Sequence, residues 1–422
     1  MFLTCYTGIA CTQYGGLNAT TLHKFAGLGD GRYSDDELLN LIKTDERYIK
    51  TKINISTADV LIIDEVSMVS AKLFRQVELV CREVRCKETH FGSLQVILCG
   101  DFFQLPPIRD ELYGDFGHYC FESEFFCDAF PHSIQMCNVH RQSETELIRA
   151  INQLECGDVS EDTEIFMKCL SRPISAEHIV KLYARNLEVD IYNFEQLRHI
   201  NSALKTFLAK DTGDIFYLKK ILAPKHFGVK VSAPVMLLAN LSDTLVNGLI
   251  GKVDAIEENV VHVEFSVQGK QELVHVERYK FTKFDPITKT CVASRLQFPL
   301  KLAFAITIHK SQGMSIPYVE IDCKFVNQPG QIGVAVGRAQ TIDGLCVKNF
   351  KKSCCKRHPE KVYKFCSALE VGQLDDSLLC CRNKNNNVEL KDYGDICNFE
   401  MDSDVCELEL SETLIDQFHS FI

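Results

Sequence analysis

No stretch of this chain approaches the roughly 20 consecutive apolar residues that a membrane-crossing helix needs. The strongest candidate, Leu300 to Ile308, already carries Lys301. The residues after Met1, FLTCYTGIA, lack a basic flank and suit a strand better than a secretion signal. No Cys-x-x-Cys pair occurs among the 20 cysteines, so the densest group, Cys354, Cys355, His358 and Cys366 with Cys380 and Cys381 beyond it, is a poor zinc candidate. Thiols scattered through apolar segments such as VILCGD, in a chain of 422 residues without an export signal, argue against a disulfide framework. Most are expected to be reduced and buried. Repeats of solenoid length are also missing. Together these absences predict a soluble intracellular protein of about three domains with no membrane contact.

A net charge of −11 argues against a nucleic-acid binder until it is located along the chain. Residues 388–422 hold ten acids against one base, Lys391, and so carry −9, leaving −2 for everything before them. Immediately upstream, KNFKKSCCKRHPEK is a basic block. Such an acidic end is ordinarily a solvated tail, and a fold-back competitor for a DNA groove is the sharper alternative.

The chemistry is most legible at VLIIDEVSMV, residues 60–69. Val60 to Ile63 form the continuous apolar run of a strand buried on both faces, and Asp64 and Glu65 follow at its end. Ligands of open α/β sheets bind outside the carboxyl ends of the strands, where adjacent acids suit Mg²⁺ and an activated water. The bland alternative is a strand running into an acidic cap. Asp36 to Lys43 and Ala71 to Arg85 have helical apolar spacing, and Leu94 to Cys99 reads as the next buried strand, ending in GDFFQLPP. Strand, helix, strand with acids at the strand ends is a doubly wound α/β pattern. Past Pro131, SIQMC begins a second unit, with a helix capped at Ser143 by a capping box to Glu146, strand IVKLYARN and helix Leu187 to Ala203. From Lys210 the pattern changes to short alternating strands, read as a small inserted β-barrel. Helical character resumes at PLKLAFAITIHKSQG, followed by strand YVEID, a helix near Pro329 to Ala339 and strand GLCVKNF.

The strings TGIA with TLHKFAGLG, LIIDEVSMV, GDFFQLPPI, HRQ, VMLLANLSDTLVNGLIGKV and RLQFPLKLAFAITIHKSQG occur in one order. In that order they resemble the Pif-type (petite integration frequency) DNA helicases of superfamily one, relatives of the bacterial RecD enzymes. The resemblance covers about Thr4 to Phe350. It implies an α/β fold of two RecA-like (P-loop NTPase) domains, the first N-terminally truncated: domain one at 1–132, domain two at 133–209 and 295–350, the barrel at 210–294, and a basic segment then acidic tail at 351–422. It further implies ATP as substrate, Asp64 as Mg²⁺ ligand, Glu65 orienting the hydrolytic water, Gln104 sensing the γ-phosphate, and Arg141 and Arg338 as arginine fingers. Thr7, Gly8, His23 and Phe25 from the first domain, with Thr307, His309, Lys310, Ser311, Gln312 and Gly313 from the second, would grip single-stranded or forked DNA, Phe25 by stacking on a base. The implied work is 5′-to-3′ unwinding by a monomer in the nucleus or mitochondrion, in replication, repair, recombination or telomere maintenance. Considered without the family, each arginine reads as a surface ion pair and Phe25 as core.

Two departures stand out. In GVAVGR, Gly333 and Gly337 replace the family's tyrosine and serine, which is expected to weaken contacts near Arg338. The phosphate-cradling loop G-x-x-x-x-G-K-[S/T] is absent; NGLIGKV has the wrong spacing and a valine, Val253, where a hydroxyl is needed. In the family that loop precedes the strand beginning here at Phe2, so the expectation is a sequence lacking its first segment. The competing expectation is a non-catalytic single-strand-binding remnant or scaffold that has lost nucleotide binding. A nuclease is disfavoured because Asp64, Glu65 and Asp101 leave no surplus carboxylate cluster.

Overall fold

The computed structural model describes residues 1–372 apart from 15, 16, 18, 177, 178, 243, 268, 269, 286, 287 and 289. The acidic tail, Cys380 and Cys381 lie outside these residues.

The apolar run at residue 60 becomes the strand Val60–Asp64, with Leu61, Ile62 and Ile63 buried. It pairs in parallel with Phe2–Cys5 on one side and Gln95–Leu98 on the other, and Thr20–Thr21 completes a four-stranded sheet beyond Phe2–Cys5. The helix Ala71–Arg85 starts where the Ser70 hydroxyl accepts the Leu73 N–H, and it buries Leu73, Phe74, Val77, Val80 and Cys81 against this sheet's core. Asp35–Thr44 begins with a capping box between Ser34 and Glu37. We call this unit lobe one. Its strand Gln95–Leu98 departs from the expected buried strand: it ends the sheet, and Ile97 is 42% exposed because an edge strand has a neighbour on one side only.

Lobe two is a second four-stranded parallel sheet, in the order Ala305–Thr307, Val180–Tyr183, Val319–Asp322, Leu345–Lys348. The helices Thr145–Cys156 and Gln331–Val336 share its core. The segment PLKLAFAITI is not helical but gives the strands Leu300–Leu302 and Ala305–Thr307, because an unbroken apolar run fits a strand buried on both faces as well as a helix. Thr145–Cys156 does not use Ser143 as its cap: Glu144 holds that place without a side-chain cap bond, since its carboxylate accepts the Ile342 N–H at 2.7 Å instead. The helix expected from Leu187 to Ala203 runs from Asn186 to His199 and ends four residues early, as the chain turns into antiparallel strands.

Those strands run from Lys205 to Leu302, wider than the 210–294 expected, and form separate sheets of five, three and two strands. Val253, Val261, Val263, Phe265 and Val276 point inward from the five-stranded sheet to a core that Phe298 and the two-stranded sheet's Phe207 and Phe227 share, while Ala293 of the three-stranded sheet packs with Leu218 and Leu238 in a smaller cluster. After lobe two the chain returns to lobe one, where the helix Glu360–Ser367 buries Val362. No helix among the described residues is long and apolar enough to cross a membrane. All 16 cysteines among them are free, but only seven are buried, fewer than the scattering of thiols through apolar segments predicted.

Candidate active site

Asp64 ends the central strand of lobe one, and its Oδ2 accepts a 2.6 Å hydrogen bond from the Tyr14 hydroxyl. Burial pushes its carboxyl above the usual range, and the Tyr14 bond opposes that. Glu65 follows in the left-handed region, φ 55°, a conformation that a non-glycine residue holds only when its surroundings enforce it. Gly100 permits it: a Cβ there would stand 2.8 Å from the Val66 nitrogen. The turn aims Glu65 across the gap between lobes, where its Oε2 accepts the Gln312 amide at 2.8 Å. Burial first, then Asp64, raises the Glu65 carboxyl; Arg338, Gln312 and Arg141 pull the other way.

Both arginines come from lobe two. Arg141 donates to the Gly337 carbonyl at 3.2 Å, which Gln142 also approaches at 3.2 Å while bonding Ala339 at 2.7 Å. Arg338 is 2% exposed, donates to Val334 at 3.0 Å, and is lowered to about 10 by burial and by Arg141, with Glu65 and Glu155 offsetting this. So buried a guanidinium needs a negative partner, which excludes the surface ion pair as its role. Gln104 sits in the turn after Asp101, with its buried Oε1 unpartnered; the Oε1 of Gln312 is likewise orphaned. A divalent cation would relieve the acids that burial raises, and phosphate oxygens would relieve the guanidiniums that burial lowers, while the orphaned amide oxygens are acceptors suited to a metal ion or a water.

Sequence reasoning missed two residues of this cleft. Tyr14 lay in a turn without periodicity. Glu155, at the end of Thr145–Cys156, is pushed up to about 8 by burial and by Asp101, and faces Arg338, Arg141 and Glu65. Only its helical register toward lobe two could have signalled it.

The strand-gripping set divides. Phe25 is fully buried against Phe2, ring centroids 5.3 Å apart, and has no face for a base. Gly8 is spent on packing, since a Cβ there would stand 2.8 Å from Val246. Thr7 caps the helix Gly8–Thr12. The segment TIHKSQG is a 3-10 turn, Ile308–Ser311, at the end of a strand rather than a helix end. Thr307 and Ser311 are buried, Ser311 bonding the Ile308 carbonyl at 2.8 Å, while Gln312 and Gly313 face Glu65. His23, His309 and Lys310 remain half-buried, each with its pKa lowered by burial, Lys310 to about 8. Among the described residues there is no cluster of three or more metal-binding side chains; the Cys354 thiol donates to the Cys323 carbonyl and His358 bonds the Glu155 carbonyl.

The family model described as PIF1-like helicase matches residues 2–149. The chain is 33% identical over 370 residues to a protein named ATP-dependent DNA helicase PIF1 from Xenopus laevis, covering 85% of this chain and 56% of that one. For the human protein of that name the figures are 32% over 381 residues, 88% and 57%. The chain thus spans little more than half the length of these relatives. Its fold matches the crystal structure of Pif1 helicase from Candida albicans with a TM-score of 0.75 at 33% identity, covering 87% and 88% of the two chains. The Bacteroides Pif1 helicase in complex with ADP-AlF3 and ssDNA matches with a TM-score of 0.75 at 28% identity, covering 87% and 86%.

Proposed function

Because the chain belongs to the PIF1-like helicase family, we propose that it forms the two-lobed engine of an ATP-driven DNA helicase. Glu65 of lobe one facing Arg141 and Arg338 of lobe two in one cleft is the observation that carries this reading. Asp64 would hold Mg²⁺, which supplies neutralisation of charge on the phosphates. Glu65 orients the attacking water and receives its proton, a task suited to a carboxyl already raised by burial. Arg141 and Arg338 stabilise charge on the transferred phosphoryl group, worth about 10³ to 10⁵ in rate for such fingers. Gln104, whose amide oxygen lacks a partner, reports the occupied cleft to the rest of lobe one.

Single-stranded or forked DNA would lie across His23, His309 and Lys310, which contact phosphates without reading bases. The solved relative bound to ssDNA supports that partner. Travel 5′ to 3′, and work in nuclear or mitochondrial replication, repair or recombination, belong to the same reading.

The 422 residues contain no G-x-x-x-x-G-K-[S/T] loop. The second reading is a single-strand-binding scaffold without turnover. Both readings predict negligible DNA-stimulated ATPase activity from these residues alone. They part when a strand, loop and helix bearing Gly-Lys-Thr are joined ahead of Phe2. The helicase reading requires Mg²⁺-dependent, DNA-stimulated turnover that Glu65→Gln abolishes. A folded fusion that binds DNA yet hydrolyses nothing would favour the scaffold.

A further inference from the structure

We infer that residues 354–365 form a strap fixing the angle between the two lobes, which makes Tyr363 and Phe365 positioning residues for Gln104 relative to Arg141 and Arg338. The basic block that the sequence singled out is the source of this element. On lobe two, Cys354 is buried in the core and its thiol donates to the Cys323 carbonyl at 3.3 Å. On lobe one, Val362 is wholly buried, and Phe365 stacks on Phe121 with centroids 4.5 Å apart and meets Phe102 edge-on at 5.1 Å. Lys361 adds bonds to both Glu122 carboxylate oxygens at 2.7 and 2.8 Å.

The middle of the strap touches both walls of the cleft. His358 bonds the Glu155 carbonyl through Nε2 at 3.1 Å and sets its ring edge-on to Phe103, centroids 5.6 Å apart. The Tyr363 hydroxyl donates to the Cys156 carbonyl at 2.5 Å and accepts the His358 N–H at 3.3 Å. Gly157, φ 72°, allows the approach, since a Cβ there would stand 2.5 Å from the Lys356 carbonyl. Phe102 and Phe103 directly precede Gln104, while Glu155 faces Arg141 and Arg338. One short segment therefore grips the loop carrying the amide and the helix end that faces the guanidiniums. Lobes that share no continuous sheet open by rotation, and a strap anchored in both cores limits that rotation.

The mechanical claim stands on these contacts alone; its consequence for turnover rests on the nucleotide-cleft reading. The test is hydrogen exchange, followed by mass spectrometry, on the full chain without nucleotide or DNA, so failure of the helicase reading leaves it intact. Phe365→Ala should speed exchange about tenfold or more at residues 100–104 and 330–338 while Leu61 to Ile63 and Val319 to Ile321 keep their protection. Phe365→Tyr, which retains the stack, should restore the wild-type pattern. Tyr363→Phe should give a smaller local increase. Unchanged exchange at the cleft in Phe365→Ala, or an equal rise in the central strands, overturns the inference.

Discussion

Lys310 holds its ammonium 3.2 Å from the Met236 sulfur, and burial lowers its pKa to about 8. In the unfolded chain the same amine keeps its proton to about 10.4. Between those values the unfolded state binds more protons, so folding stability rises with pH while the charge available to a phosphate is lost. Affinity for single-stranded DNA should therefore fall between pH 7 and pH 9, and Lys310→Arg should flatten the profile in anisotropy titrations. An identical pH dependence in both proteins would remove Lys310 from the strand contact. Phe25 teaches the converse lesson. Its residue type allowed stacking on a base, but its complete burial against Phe2 makes it core.

At the scale of elements, Gly333 sets how closely the helix Gln331–Val336 meets the end of Thr145–Cys156. A Cβ at Gly333 would overlap Glu155 Cγ and stand 2.8 Å from that residue's Cα and nitrogen. The glycine that looked like a weakened contact in the sequence is thus what brings Glu155 into the cleft. Gly333→Ala should force these helices apart at a cost of about 1–3 kcal/mol, read as a lower urea midpoint. A midpoint within error of wild type would show that the helices can part freely. The strands Val60–Asp64, Val180–Tyr183, Val319–Asp322 and Leu345–Lys348 were legible because they are short runs rich in apolar residues, and Ala71–Arg85 because its spacing repeats near 3.6. The segment after Pro299 was not, since an unbroken apolar run carries no period to separate strand from helix.

At the scale of the molecule, lobe one also meets the antiparallel region. The Tyr113 hydroxyl donates to the Phe284 carbonyl at 3.0 Å, and the Arg32 guanidinium lies 5.3 Å from the Phe284 ring centroid. Removing the hydroxyl with Tyr113→Phe should cost about 1 kcal/mol and raise exchange in residues 279–285 selectively. Uniform protection there would mean that the contact contributes nothing. The sequence by itself determined the family resemblance, the acids at the end of Val60–Asp64 and the helix Ala71–Arg85, because each is written in adjacent residues or in a local period. Only the tertiary structure decided that Gln312 bonds Glu65, that Glu155 joins Arg141 and Arg338, and that a basic segment straps two lobes. Those contacts join residues far apart in sequence. They are set by how two sheets pack and by the few glycines that let backbones approach, and no local pattern of residue types encodes that distance.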